Sequence, residues 1–415
     1  MLTSFTTAIS ALNANETAID VVGNNLANLN TAGYKEVSVD FSDMMSQSTG
    51  ADTEVGLGLR EPTTRRIFTT GAIQPNTGPL TAAIQGQGFF QLQGDAGNTT
   101  YTRVGNFRVN GAGTLVSQSG DAVMGWSAVN GAVNAQTGAG PIYISQQPLP
   151  AKQTTELTID MNLDAGADVA STTTVPVTFV DSLGKTHVLS LTLQKTADNV
   201  WSYTAGIPAD ELTGTGTVTT TNAAHTLNFN SSGVLQFPGP PATPITSEGI
   251  AIAGLANGAA DMTINWNWAL ENGVTPRVTQ QTGVSTPSST WQDGYTMSDM
   301  TDLKIDDGGS VIGQYSNGQT MVLAQLGLVS IRNPDSLSSV GSNAYAATVD
   351  TAVAPLAPAG SGGRGKIIGQ ATESSNVDIA KEFTNLITYQ RAYQAASRVI
   401  STADEISQDI INLKR

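Results

Sequence analysis

The sequence predicts a multidomain α plus all-β protein, in which N- and C-terminal helices form a coiled-coil-like inner domain around nested outer β-domains of sandwich or barrel-like type. Three observations carry this expectation: an apolar residue every seven positions at the start of the chain, a three-and-four repeat at its end, and a period of two between them.

At the N-terminus Phe5, Leu12, Ile19 and Leu26 recur at seven-residue spacing, with Ile9 filling the intermediate position between the first two. The complementary set is poor, because Glu16, Gly23 and Asn30 occupy it, so the helix needs more than one neighbour. The run NNLANLNTAGYKE then ends it. Gly33 suits a left-handed position after a helix, and Asn28 and Asn30 tolerate turns, which places the stop near Leu29 to Ala32. From Thr3 to Leu29 such a helix spans about 40 Å.

The strongest helical signal is C-terminal, where Phe383, Leu386, Ile387, Tyr393, Ala396, Val399, Ile400, Ala403, Ile406, Ile410 and Leu413 fall at three-and-four spacing. Ser375 with Asp378 resembles a capping box, Glu373 and Asp378 suit the positive end of the helix dipole, and Lys414 and Arg415 the negative end. Val377 to Arg415 would extend roughly 58 Å.

Between the helices, AAIQGQGFFQLQ, TYTRVGNFRVNGAGTLVS and MTINWNW alternate apolar and polar residues, as half-buried strands do. Asn110-Gly111, Asp307-Gly308 and Asn317-Gly318 supply hairpin chemistry. Pro148, Pro150 and a Thr-rich run mark the entry to an inserted domain that closes near Gly283. Four basic residues against eleven acidic ones give this insert a charge of −7, as a well-solvated outer domain would have. The nested division is residues 1–70 with 370–415, then 71–150 with 284–369, and 151–283 outermost. Thr351 to Lys366 reads as a linker containing a flexible joint, GSGGRG.

Only 13% of the 415 residues are charged, the net charge is −15, and Gly, Thr, Ser and Asn are abundant. That composition excludes a polyanion partner, since Arg65-Arg66 is the largest basic cluster. No cysteine is present, so disulfides and thiolate metal sites are excluded. No stretch is long and apolar enough for membrane insertion, and the N-terminus has no basic residue before Lys35, unlike a cleaved secretory signal. Chemistry is equally unsupported. GSGGRG fits a dinucleotide fingerprint literally, yet it follows a Pro/Ala run instead of a strand. His187 and His225 are too few for a His-rich metal site, and Asp306-Asp307 lacks calcium-loop spacing. Trp266 and Trp268 alternate on one strand face and read as core, not as a carbohydrate platform. No catalytic residue, cofactor or metal is therefore expected.

The stretch ANLNTAGYK resembles the Asn-x-x-Thr-x-Gly-Phe/Tyr-Lys signature of the bacterial flagellar rod and hook axial family, matched by Asn28, Thr31, Gly33, Tyr34 and Lys35. The family's usual proline before the glycine is Ala32 here. TYQRAYQAASRVISTADEISQDIINLKR is similar to the family's closing helix, and AIQGQGFFQL and YTRVGNFRVNGAGTLV resemble its β-domain motifs. The length and the large middle insert imply the hook rather than the shorter rod proteins. The resemblance implies subunits that stack paired terminal helices around a channel and turn β-domains outward. They would build a short curved tube, a universal joint carrying torque from rod to filament. The implied partners are the chain itself in a helical homopolymer, the rod, hook cap and hook-filament junction proteins, and the flagellar type III export apparatus, which would export the chain to the extracellular flagellum uncleaved. A distal rod protein and a secreted β-rich adhesin are the alternatives, the latter leaving both helical termini unexplained.

Overall fold

The computed structural model describes residues 2–44, 47–48, 54–221, 225–238, 245–270 and 273–413. Two long helices, α1 (Leu2–Ala27) and α2 (Ile379–Leu413), bracket a body built of strands. The chain divides into two compact units. One comprises Met1–Gln146, Thr301–Gln314 and Thr320–Arg415, the other Gln147–Met300 and Tyr315–Gln319.

In the first unit α1 and α2 lie side by side and antiparallel, since Asn25 meets Glu382 at one end while Ala8 and Ala11 face Ala396 and Val399 at the other. Beside α1 lies a two-stranded ribbon, Val37–Asp40 with Thr63–Arg66, and the same unit holds a large sheet with the order Met300–Ile305, Ser310–Tyr315, Thr320–Val329, Ala122–Ser127, Phe89–Gln93, Thr99–Thr102, Ala344–Ala346 and Ser338–Gly341 along its main path. These neighbours pair antiparallel where their register is defined, and hairpin turns fall at both predicted dipeptides of the unit, although the left-handed glycine of the first is Gly113 instead of Gly111, while Gly308 is left-handed in the second. Phe90, Leu92, Val123, Leu326, Leu328 and Ile367 form its core, and each such side chain contributes about 1.5–3 kcal/mol on burial.

The second unit is a β-sandwich. A six-stranded sheet centred on Glu156–Asp164 and a five-stranded sheet running Thr172–Val180, Thr186–Ala197, Val200–Gly206, Thr226–Phe229, Leu235–Gln236 enclose one apolar core. Strict alternation along Glu156–Asp164 puts Leu157, Ile159, Met161 and Leu163 inward. Trp266 and Trp268 are buried there beside Tyr203, ring against edge at 5.6–6.1 Å.

Five sequence expectations need correction. Helix α1 ends at Ala27, where its ladder tightens to three-residue bonds: Asn28 N–H is shared between the Asn24 and Asn25 carbonyls, Leu29 N–H reaches Leu26, and Thr31 N–H reaches Asn28. Gly33 is left-handed, with φ +68°, but it sits in the turn beyond the helix and not at its cap. At the start of α2 the cap is Asp378 alone: its Oδ1 accepts from the Ala380 and Lys381 N–H groups, while Ser375 accepts only from Val377. Glu373 belongs to the strand Ala371–Glu373, away from the helix dipole. The GSGGRG stretch is a pinned turn, not a joint, because Arg364 Nε donates to the Leu328 carbonyl at 2.8 Å and Gly365 N–H to Gln87 at 2.6 Å. Lys414 and Arg415 lie outside the described residues.

Candidate assembly site

The helix pair presents two kinds of surface. Its internal seam is made of small residues: Ala8, Ala14, Ala18 and Val22 of α1 are buried, and Ala396 is buried on α2. Small side chains let the two backbones approach but remove little apolar area from water. The larger residues predicted as seams sit elsewhere. Phe5 is 41% exposed and Ile9 is exposed beside it, whereas Leu12, Ile19 and Leu26 are half-buried. On α2, Phe383 is 47% and Ile387 51% exposed, and Tyr393 and Ile406 are exposed as well. Leu386 and Ile400 are half-buried, and the side chains of Ile410 and Leu413 lie outside the described residues.

At about 100° per residue, Phe5, Ile9, Leu12 and Ile19 fall on one flank of α1, beside the Ala8–Ala18–Val22 face. On α2, Phe383 and Ile387 lie on the side turned away from α1, Tyr393 on one flank of the face that meets it, and Val399 and Ile406 on the opposite flank. The heptad in the sequence therefore marks a face that the chain's own second helix leaves open. Neither helix can cover it alone.

The signature turn fixes the other end of this pair through a buried polar junction. Lys35 Nζ lies 2.5 Å from Glu373 Oε1, and both side chains are 0% exposed. Lys35 also donates to the Thr69 carbonyl at 2.7 Å. Glu373 accepts two more bonds, from Gly71 N–H at 2.9 Å and from Arg103 Nε at 3.1 Å. Arg103 spends its remaining N–H groups on the carbonyls of Ile84, Gly86 and Gly88 and on Thr70. Burial pulls the Lys35 ammonium below its ordinary value, although Glu373 opposes this. Two cations and one carboxylate thus tie the turn after α1 to the sheet and to the strand before α2.

Tyr34 and Gly33 complete the motif. The Tyr34 hydroxyl donates to Asn25 Oδ1 at 3.1 Å, and burial pushes its pKa up. Asn25 then acts as a strand partner, accepting from Val37 N–H at 3.0 Å and donating to the Val37 carbonyl at 2.8 Å and to Glu382 Oε2 at 3.2 Å. Burial raises the Glu382 carboxyl. Gly33 N–H donates to the Glu373 carbonyl at 2.8 Å, and a Cβ at Gly33 would come 2.7 Å from Val104 Cγ2, so its left-handed backbone and its lack of a side chain are both required. Asn28 and Thr31 stay local, Thr31 Oγ1 donating to Asn28 Oδ1 at 3.1 Å. Asn376 and the Lys381–Glu36 pair, 2.6 Å apart, link the start of α2 to the segment after the turn.

Sequence reasoning singled out Lys35 but missed Arg103 as the second cation on Glu373, and missed Asn25 and Asn376, which bond to the segment after the turn. One signal was available: Arg103 interrupts the strand pattern of TYTRVGNF, where a charged residue calls for a buried partner. Among the described residues no cluster of three or more His, Asp or Glu side chains could hold a metal ion, and no helix is long and apolar enough to cross a membrane.

Comparison with known proteins covers most of this architecture. A flagella basal body rod protein profile matches residues 5–35, the flagellar hook protein FlgE/F/G D1 domain residues 83–162, the flagellar basal body protein FlaE D2 domain residues 149–295, and the flagellar basal body rod FlgEFG protein C-terminal profile residues 368–413. The flagellar hook protein FlgE of Salmonella typhimurium is 34% identical over 425 residues, covering 99% of this chain and 100% of the relative. That of Escherichia coli K12 is 33% identical with the same coverage, and that of Treponema pallidum is 32% identical over 465 residues, covering both chains fully. With helical termini, signature turn and middle β-unit all matched along full-length relatives, the chain belongs to the flagellar hook protein family.

Proposed function

We propose that the chain is the structural subunit of a bacterial flagellar hook, without catalytic activity, and that it polymerises into a short curved tube acting as a universal joint between rod and filament. The observation that carries this reading is the large apolar residues left open on the flanks of both terminal helices while the internal seam is filled by alanine. A second and third copy would cover those flanks, with Phe5, Ile9, Leu12, Ile19 and Leu26 on α1 and Phe383, Leu386, Tyr393, Ile400, Ile406, Ile410 and Leu413 on α2 as the assembling residues.

Coverage by copies makes ordering of the helices part of assembly. The helical layer would line the tube, with β-structure turned outward from it. Outer surfaces rich in Thr, Ser, Asn and Gly exchange contacts through water at little cost, as a bending joint requires. The rod, a hook cap, hook-filament junction proteins and the type III export apparatus would be its flagellar partners, and its place would be outside the cell.

Two measurements test this. An antibody against residues 151 to 284 should label a short curved segment between cell surface and filament. Labelling confined to envelope-spanning bases would assign it to the rod, and scattered surface label would overturn the axial reading. Phe383→Glu, at an exposed position, should leave the melting temperature of the soluble chain within the effect of a surface change, about 0.5 kcal/mol, yet abolish polymer formation seen by electron microscopy. Normal polymers from that variant would remove the α2 flank from the interface.

A further inference from the structure

Of the five tryptophans, Trp126, Trp201, Trp266 and Trp268 are buried, while Trp291 is 54% exposed. Its position follows from register. Trp291 on Thr286–Gln292 stands opposite Thr158 on the central strand Glu156–Asp164, and Asn267 flanks Thr158 on the other side. Glu156, Thr158 and Asp160 point outward because Leu157 and Ile159 between them point to the core. The outer face of the six-stranded sheet thus carries a groove of about 530 Å³, within the size range of small-ligand sites, with the indole on one wall and Asn267, Arg277, Asp160 and Glu156 around it.

The polar groups are held in place before any ligand arrives. Arg277 Nη1 donates to Asp160 Oδ1 at 2.9 Å and its Nε to the Ala269 carbonyl at 3.1 Å, while Ser289 Oγ donates to Asp160 Oδ2 at 2.6 Å. Burial pushes the Asp160 carboxyl up, but the Ser289 and Arg277 hydrogen bonds outweigh it and hold the group below the usual carboxylate range. A planar exposed indole beside fixed carboxylate, amide and guanidinium groups is a surface for a ring that is apolar on its faces and hydroxylated at its edge.

We propose that this groove binds a neutral pyranose oligosaccharide, one sugar stacking on Trp291 and its hydroxyls bonding to Glu156, Asn267 and the Asp160–Arg277 pair. Neutrality follows from the charges: two carboxylates face one guanidinium that is already paired, which disfavours anionic sugars, phosphates and nucleic acid. A purely apolar partner would leave these polar groups without water or hydrogen bonds.

The test uses the soluble full chain, titrated separately with cellotetraose, maltotetraose and chitotetraose, and follows heat and the acrylamide quenching of tryptophan emission. At least one probe should bind saturably and protect the quenchable, exposed indole. Trp291→Ala should weaken that binding at least about tenfold, as loss of a stacking contact does, with the melting temperature unchanged. Trp291→Phe should lose less. Failure of all three probes to bind up to about 10 mM, or equal binding by Trp291→Ala, overturns the proposal. So does loss of Trp291 quenching on polymerisation that no probe reverses, because the face would then belong to a second copy.

Discussion

Replacing Glu373 by glutamine removes the one anion of the buried junction and strands two cations, Lys35 and Arg103, with side chains 0% and 2% exposed. The amide can accept from one of them but presents N–H groups to the other, and an uncompensated buried charge costs about 3–5 kcal/mol. Lys35→Met removes a cation instead. Glu373 then keeps Arg103 Nε and the Gly71 N–H, and the amine that is lost is one whose charged form burial already disfavours. The remaining cost is mainly the lost hydrogen bonds, about 1–2 kcal/mol. For a unit of this size each kcal/mol shifts Tm by about 2–4 °C, so calorimetry of the full chain should show drops of about 6–20 °C for Glu373→Gln and about 2–8 °C for Lys35→Met. The transition of the unit holding Trp201, Trp266 and Trp268 should stay where it is, since the junction lies wholly in the other unit. A pH series adds a second signature. Lys35 is held below its ordinary 10.5, so the unfolded chain binds this proton more tightly, and Lys35 makes stability rise with pH until 10.5 is reached. Lys35→Met should lack that rise. Equal losses from the two variants, or a larger loss from Lys35→Met, would refute the account of stranded charge.

Two further outcomes are expected. Gly33→Ala should destabilise the unit carrying the helices by about 2 kcal/mol or more, from the left-handed backbone together with the 2.7 Å approach of its Cβ to Val104, as read by chemical denaturation; a loss of under about 0.5 kcal/mol would show that the turn relaxes freely. In the other unit burial pushes Asp293 up, but Lys152 and the N–H groups of Glu156 and Thr155 outweigh it and hold the carboxyl at about 2. A depressed carboxyl stabilises fully above its ordinary 3.8 and loses that contribution as pH falls through about 2. Asp293→Asn should therefore cost about 2 kcal/mol at pH 7, with wild type and variant converging in melts taken toward pH 2, and a constant difference would contradict the linkage.

The sequence by itself determined the elements whose cause is local or periodic. The three-and-four repeat of α2, the alternation of Glu156–Asp164 and the Asn-Gly and Asp-Gly hairpins needed no knowledge of distant residues, because each pattern matches the geometry of one element. The signature turn was legible as a turn, but not as a junction. Lys35 lies 338 positions from Glu373, and Arg103 lies 270 from it. Only the tertiary fold decides which buried carboxylate answers which cation. The helical ends were misplaced for a related reason: the last N–H groups of α1 turn to acceptors three residues back, Asp378 alone caps α2, and both outcomes are settled by geometry within one turn. The heptad was visible, yet its partner was not. Periodicity tells which residues share a face, and only packing tells that the chain's own second helix takes the alanine face and leaves the face of Phe5 and Ile9 open.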